Sequence, residues 1–333
     1  MRIITDAMGG DYAPLEQVKG TAEAVKKLGC EAILCGNEGL IRPILSECKA
    51  DMSKISIIHC SEKIENEDDP IRAVRRKTDS SLVVAMNMLS SGEGDALLSA
   101  GNTGALIAAS TFILKKPDGV LRPALTPLLP SQRGPFALLD AGANAVCTPE
   151  NLYQFAVMGS YYMSHVLEIK RPRVALLNIG AEEKKGTDLT REAYKILKNS
   201  DLNFIGNIEA RSLPYGEADV IIADGFTGNI ALKLYEGLGK YIAGEVKEIF
   251  MKNLISKIAA VMVHSGINGF RKKMDYKEYG GAPLLGVNGT VIKAHGSSDA
   301  RAIVSAFMQA EKACKSGLTE AIKNKLTETS IKV

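Results

Sequence analysis

Short apolar runs recur along the chain, each followed by a longer stretch with helical spacing, and this alternation is the feature that most narrows the fold. The runs lie at Arg2–Thr5, Ala32–Cys35, Ile55–His59, Ala96–Ser99, Phe136–Leu139, Val174–Asn178, Asn203–Gly206 and Val220–Ala223. Segments such as Leu15–Leu28, Ile71–Ser90 and Thr190–Lys198 between them carry the helical pattern. Strands covered by helices on both faces read as unbroken apolar runs, because neither face meets water. The pattern therefore predicts an α/β fold built on a mainly parallel sheet. The 333 residues can bury a sizeable core. No low-complexity linker divides them, and the Pro-, Gly- and Arg-rich stretch from Pro117 to Pro135 reads as an excursion rather than a boundary.

Charge and composition exclude several classes. Lys and Arg number 41 against 38 acids, a net charge of +3, which argues against a general nucleic-acid binder. No apolar run approaches the ~20 residues that span a bilayer. The N-terminus enters a strand at the third residue, so no signal peptide is expected. Cys30, Cys35, Cys48, Cys60, Cys147 and Cys314 form no C-x-x-C pair, which fits reduced thiols in the cytoplasm. His59, His165, His264 and His295 lack metal-ligand spacing, and no metal is expected.

Ligands of open α/β sheets bind beyond the carboxyl ends of the strands, and there this chain concentrates small and polar residues. They are Asp6, Gly9 and Gly10 after the first strand, then Ser99, Gly101, Asn102, Thr103 and Gly104. Asp140 and Asn144 follow the Leu138 run, and Asn178, Lys184 and Lys185 the Leu176 run. Asp224, Thr227, Gly228 and Asn229 follow the Ile221 run, and Lys293, His295, Ser297 and Ser298 precede a late helix. Glycine permits close backbone approach, and a helix start offers unpaired N–H groups to an anion. Each turn alone reads as an ordinary cap; together they read as an anion site. Residues 95–106 and 219–230 share the pattern Asp, apolar strand, Gly-x-Thr-Gly, apolar helix start, which one geometry explains without ancestry.

Lys184 and Lys185 fit an anion or an oxyanion, and equally fit a solvated loop. His295 suits phosphate binding or proton transfer, although packing alone also accounts for it. There is no phosphate-binding P-loop, no G-x-G-x-x-G after a strand and no G-x-S-x-G elbow. Cys147 has no neighbouring base in sequence. Anion cups without an evident nucleophile suggest that the bound anion is itself the nucleophile.

The segments Asp6–Asp11, Ser99–Gly104, Leu139–Asn144, Asn178–Gly180 with Lys185-Gly186, Asp224–Asn229, Tyr279–Gly281 and Lys293–Ser298 closely resemble the PlsX family, the phosphate acyltransferases of bacterial phospholipid synthesis. The match runs through nearly the whole chain in order. The resemblance implies a three-layer α/β/α fold like that of phosphotransacetylase and isocitrate dehydrogenase, in a single domain over residues 1–333. It implies transfer of a long-chain acyl group from acyl-[acyl carrier protein] to inorganic phosphate, without cofactors, by a homodimer. The acyl phosphate would pass to a membrane glycerol-3-phosphate acyltransferase. On this reading Lys185, Asn229 and His295 are catalytic, and the other strand-end residues bind phosphate or substrate.

A helical excursion is expected at about 245–275. Phe250, Met251, Leu254, Ile255, Ile258, Val261 and Met262 share one helical face, flanked by Lys247, Lys252 and Lys257 and followed by Arg271, Lys272 and Lys273. Periodicity alone favours a core helix; the resemblance favours peripheral contact with the inner face of the cell membrane. Acyl carrier protein is acidic, so a basic docking surface is expected, and Arg72, Arg75, Arg76 and Lys77 form the densest cluster in the first half. The competing readings are a short acyl-CoA phosphotransacetylase, a metal-dependent dehydrogenase, and a non-catalytic scaffold for lipid enzymes.

Overall fold

The computed structural model describes residues 1–263, 265, 266, 269 and 280–330. His264, Arg271, Lys272, Lys273 and Tyr279 lie outside the described residues. The first half comprises β1 (Arg2–Asp6), α1 (Leu15–Leu28), β2 (Glu31–Gly36), α2 (Glu38–Glu47), β3 (Ile55–His59), α3 (Pro70–Arg76), α4 (Ser81–Ser90), β4 (Ala96–Ser99), α5 (Thr103–Ala109, continued by a π-helical turn), β5 (Ala124–Leu125), β6 (Leu128–Leu129), β7 (Phe136–Leu139) and α6 (Pro149–His165). Then come β8 (Val174–Asn178), α7 (Asp188–Lys198), β9 (Phe204–Glu209), β10 (Val220–Ile222), α8 (Gly225–Met251), α9 (Leu254–Met262), β11 (Ala282–Leu285), β12 (Thr290–Lys293), α10 (Ala300–Lys315) and α11 (Leu318–Ser330).

The expected α/β fold is present, with its strands shared between two sheets. One has seven strands in the order β3-β2-β1-β4-β12-β11-β5, and the other five in the order β6-β7-β10-β8-β9. All neighbours are parallel except β11 with β12 and β5, and β6 with β7. Alternate side chains feed opposite faces. Ile4 and Leu97 join the core beside α4, while Ile3 and Leu98 join the core beside α10. Ala137 and Leu139 pack toward α6, and Phe136 and Leu138 toward the start of α8.

Two departures from the sequence pattern have local causes. The Ile71–Ser90 stretch is two helices. Lys77 leaves helical geometry at φ −88° and ψ 65°, and the Ser80 hydroxyl donates to the Lys77 carbonyl at 2.7 Å. Such side-chain bonds compete with the helical ladder. The Pro117–Pro135 stretch contains β5 and β6 and carries the chain from one sheet to the other: the Thr126 N–H donates to the Pro283 carbonyl of β11, and the Leu138 N–H to that of Pro127.

The repeated Asp-strand-Gly-x-Thr-Gly segments occupy matching places in the two sheets. Asp95, before β4, accepts the Arg2 N–H at 2.7 Å and donates its own N–H to the Arg2 carbonyl at 2.8 Å. Asp219, before β10, does the same with Arg173, at 2.8 and 2.9 Å. In each case the acid pins its strand to the parallel neighbour, and the Gly-x-Thr-Gly turn follows at the other end.

The start of α8 is packed and the rest runs outward. Its buried residues are Gly225, Gly228 and Leu232, and α9 buries none. Leu254, Ile255, Ile258, Val261 and Met262 are 56–80% exposed. No helix among the described residues is long and apolar enough to cross a membrane.

Candidate active site

The carboxyl ends of both sheets open on one cleft of about 520 Å³. The first sheet supplies Ala100–Gly104 after β4, and Lys293–Gly296 with Ser298 after β12. The second supplies Ala141 and Gly142 after β7, and Asn229, Leu232, Lys233 and Glu236 on α8. Leu125 and Pro127–Leu129 of the crossing strands complete the lining.

Asp6 organises the first wall from below. It is buried and accepts the Ser81 hydroxyl at 2.6 Å and the Ser99 hydroxyl at 2.7 Å. Burial pushes its carboxyl up, against these hydrogen bonds. A Cβ on Gly9 would lie 2.5 Å from Asp6 Oδ2 and 2.7 Å from the Gly101 nitrogen, so only glycine lets the two loops touch. Gly10 continues the same loop at φ +108°. At the start of α5, Gly101 N–H donates to Ser99 Oγ at 3.1 Å and Asn102 Oδ1 accepts from Ala105 N–H at 3.0 Å. The N–H groups of Thr103 and Gly104 have no acceptor among the described residues. Both residues line the cleft at a helix start, where an anion is favoured.

The second wall is built differently. Asp224 Oδ1 accepts from Phe226 N–H at 3.0 Å and Thr227 N–H at 2.9 Å, and the Thr227 hydroxyl donates to Asp224 Oδ2 at 2.7 Å. Gly225 N–H donates to Asn144 at 2.8 Å and Gly228 N–H to Asp224 at 2.8 Å. The N–H groups that open α8 are therefore used internally, and Asp224, Thr227 and Gly228 stand behind the lining. Asn229 faces the cleft through its side chain. Asp140 lies beneath, accepting from Leu125, Ala143 and Asn144 N–H and from the Asn144 side-chain amide. Burial pushes the Asp140 carboxyl up.

Lys293 and His295 meet these walls. Lys293 is buried and donates to the Ala294 carbonyl. Burial lowers its pKa to about 8, with Asp6 pulling the other way. His295 Nδ1 lies 3.2 Å from Ser297 N and 2.9 Å from its hydroxyl. Burial also pushes His295 down. Ser298 lines the cleft; Ser297 reaches it only through His295.

Asn178, Lys184 and Lys185 stand apart. The Asn178 side-chain amide donates to the Lys185 carbonyl at 3.1 Å and shapes the turn after β8. Both lysines are exposed there, outside the cleft lining. The polar lining residues passed over in the sequence are Lys233, Glu236 and Asn66. Lys233 and Glu236 follow Asn229 at i+4 and i+7, one helical stripe that the Asp224 cap could have anchored.

Comparison with known proteins supports the same architecture. A family model described as "Fatty acid synthesis protein" matches residues 1–321. The chain is 52% identical over 312 residues to a phosphate acyltransferase of Alkaliphilus oremlandii, covering 94% of this chain and 93% of that protein. It is 44% identical over 332 residues to a phosphate acyltransferase of Clostridium novyi, covering 99% and 100%. Among solved structures, a phosphotransacetylase from Streptococcus pyogenes aligns with TM-score 0.63 at 18% identity, covering 95% of this chain and 94% of that one. A 4-hydroxythreonine-4-phosphate dehydrogenase from Klebsiella pneumoniae aligns with TM-score 0.53 at 13% identity, covering 94% and 98%. These structural likenesses establish the expected phosphotransacetylase-like α/β fold. By the extent of the family match and the identity to these relatives, the chain belongs to the fatty acid synthesis protein family that includes PlsX.

Proposed function

We propose that this chain is an acyltransferase that moves a fatty acyl group from a thioester to inorganic phosphate, giving an acyl phosphate. The observation that carries this reading is one cleft lined by Thr103 and Gly104 at the start of α5, by Lys293 and His295 after β12, and by Asn229 of α8. No cysteine lines that cleft, and burial holds the Cys147 thiol up at about 11, away from a thiolate. Bound phosphate is then the nucleophile. A phosphate oxygen attacks the thioester carbonyl, Asn229 donates to the developing oxyanion, and the carbon–sulfur bond breaks to release a thiolate that takes up a proton. Alignment of two bound reactants supplies much of the rate. Lys185, which the family resemblance offers for the same oxyanion, stands on the exposed turn after β8, outside the cleft lining, and has no step in this mechanism.

The finer assignments are long-chain acyl-[acyl carrier protein] as donor, a homodimer, and delivery of product to a membrane glycerol-3-phosphate acyltransferase. The reading is tested with a short acyl-CoA in parallel: turnover with acetyl-CoA but not the carrier-bound long chain would replace this donor with a small one.

Lys293 gives the site a pH signature. Its ammonium is charged below about 8 and neutral above, whereas inorganic phosphate is already dianionic there. Phosphate affinity should fall as pH rises through that value. A charge-assisted contact contributes roughly tenfold in binding, so KM for phosphate is expected to rise by about that factor. Lys293→Met should raise KM at neutral pH and flatten the profile; an unchanged slope would separate Lys293 from phosphate.

The exposed apolar face of α9 is assigned to peripheral membrane contact. Leu254→Ser with Ile258→Ser should release the protein from anionic vesicles in a flotation assay while its thermal unfolding stays the same. Retained binding would refute this contact.

A further inference from the structure

Glu236 is the one carboxylate among the described residues that line the cleft. A cleft that binds phosphate gains nothing from a negative charge on its wall, so this residue needs a physical reason. The geometry supplies one. Glu236 Oε2 lies 3.2 Å from Lys233 Nζ and 3.8 Å from His295 Nε2, with its side chain only 11% exposed. On the other edge of the ring, Ser297 N–H donates to His295 Nδ1 at 3.2 Å. Nδ1 is then an acceptor, and the proton of the neutral ring sits on Nε2, facing the carboxylate.

We propose that Glu236 is a positioning residue, whose carboxylate holds the Lys233 ammonium and the Nε2–H edge of His295 together where α8 meets the Lys293–His295 corner of the cleft. This rests on the reading of the cleft as a phosphate site. Lys233 otherwise hangs on a flexible stem with a side chain 57% exposed. Anchored, it presents a fixed donor with less conformational entropy left to lose on binding. Among the described residues, the charged groups around His295 include Glu236, Lys233 and Lys240 from α8, Lys293 from β12, and Asp11 beside Gly296. Glu236 pulls the imidazole toward its charged form while the lysines oppose it.

The sign of one effect separates this role from bare electrostatics. Glu236→Gln keeps the volume and removes the charge. If the carboxylate merely repelled phosphate, the change would tighten binding. As an anchor, its loss should weaken inorganic phosphate binding about tenfold, the size of a strong pairwise coupling. KM should rise by a similar factor and kcat should change less. The His295 resonance, followed by NMR across pH, should titrate at lower pH in Glu236→Gln. Glu236→Asp should recover part of both changes. In a Lys233→Met background, Glu236→Gln should add little further loss. Phosphate affinity equal to or above that of the unsubstituted protein, or a His295 titration that does not move, overturns the proposal. Phosphate binding is read here without an acyl donor. Failure of acyl transfer would therefore count against the proposed reaction, and failure of these shifts against Glu236.

Discussion

Gly228→Ala is expected to remove acyl transfer, lowering kcat/KM at least about 100-fold, because it pushes α8 off the loop that holds it. A Cβ at this position would stand 1.9 Å from the Asp140 carbonyl oxygen, and one on neighbouring Gly225 would stand 2.5 Å from the Asn144 carbonyl oxygen. These contacts are with backbone, which has no rotamer by which to yield. The helix start must move, carrying Asn229, Lys233 and Glu236 with it. Overpacking of this kind costs about 1–3 kcal/mol. A thermal midpoint several degrees lower should therefore accompany the loss of turnover. Full activity with unchanged unfolding would mean that α8 does not sit on the Asp140 loop.

Asn229→Ala should leave the fold intact and reduce kcat by about 100- to 1000-fold, the effect of deleting one donor to a developing oxyanion. Asn229 packs beside Gly142 on the same wall, with its side-chain carbon 3.5 Å from where a Gly142 Cβ would stand. It shares the cleft with the Thr103–Gly104 helix start. The proposed reaction gives Asn229 to the carbonyl rather than to phosphate, so KM for phosphate should hardly move. A rise in phosphate KM with kcat retained would instead make Asn229 a phosphate ligand. Steady-state kinetics with phosphate as the varied substrate distinguishes the two.

Much of the scaffold was legible because the buried parallel strands are continuous apolar runs. Ile55–His59, Ala96–Ser99, Phe136–Leu139 and Val174–Asn178 lie where the pattern puts them. The division into two sheets was not legible. It depends on β5, β6, β11 and β12, strands of two to four residues, too short to show a period. At the site, the strand-end glycines and hydroxyl residues marked the cleft. Composition did not distinguish the amides left open at α5 from those already bonded at α8, because both turns read Gly-x-Thr-Gly. That difference comes from Asp224, just before the Gly of its turn, whose Oδ1 accepts from both Phe226 and Thr227 N–H. In the α5 turn Ala100 stands at the place of Asp224; the cap is instead Asn102, within the turn, which accepts from Ala105 N–H and leaves the Thr103 and Gly104 amides without an acceptor among the described residues. Lys233 and Glu236 were hidden for another reason: they lie beyond the motif, inside a helix, where charged residues usually face solvent.

The most direct measurement supplies the purified protein with a long-chain acyl-[acyl carrier protein] and radiolabelled inorganic phosphate, following label in an acyl product and release of carrier thiol together. The account predicts equal amounts of both, dependent on phosphate and strongly reduced by Asn229→Ala. Thiol release without labelled acyl phosphate, or neither from folded protein with active donor, would contradict it.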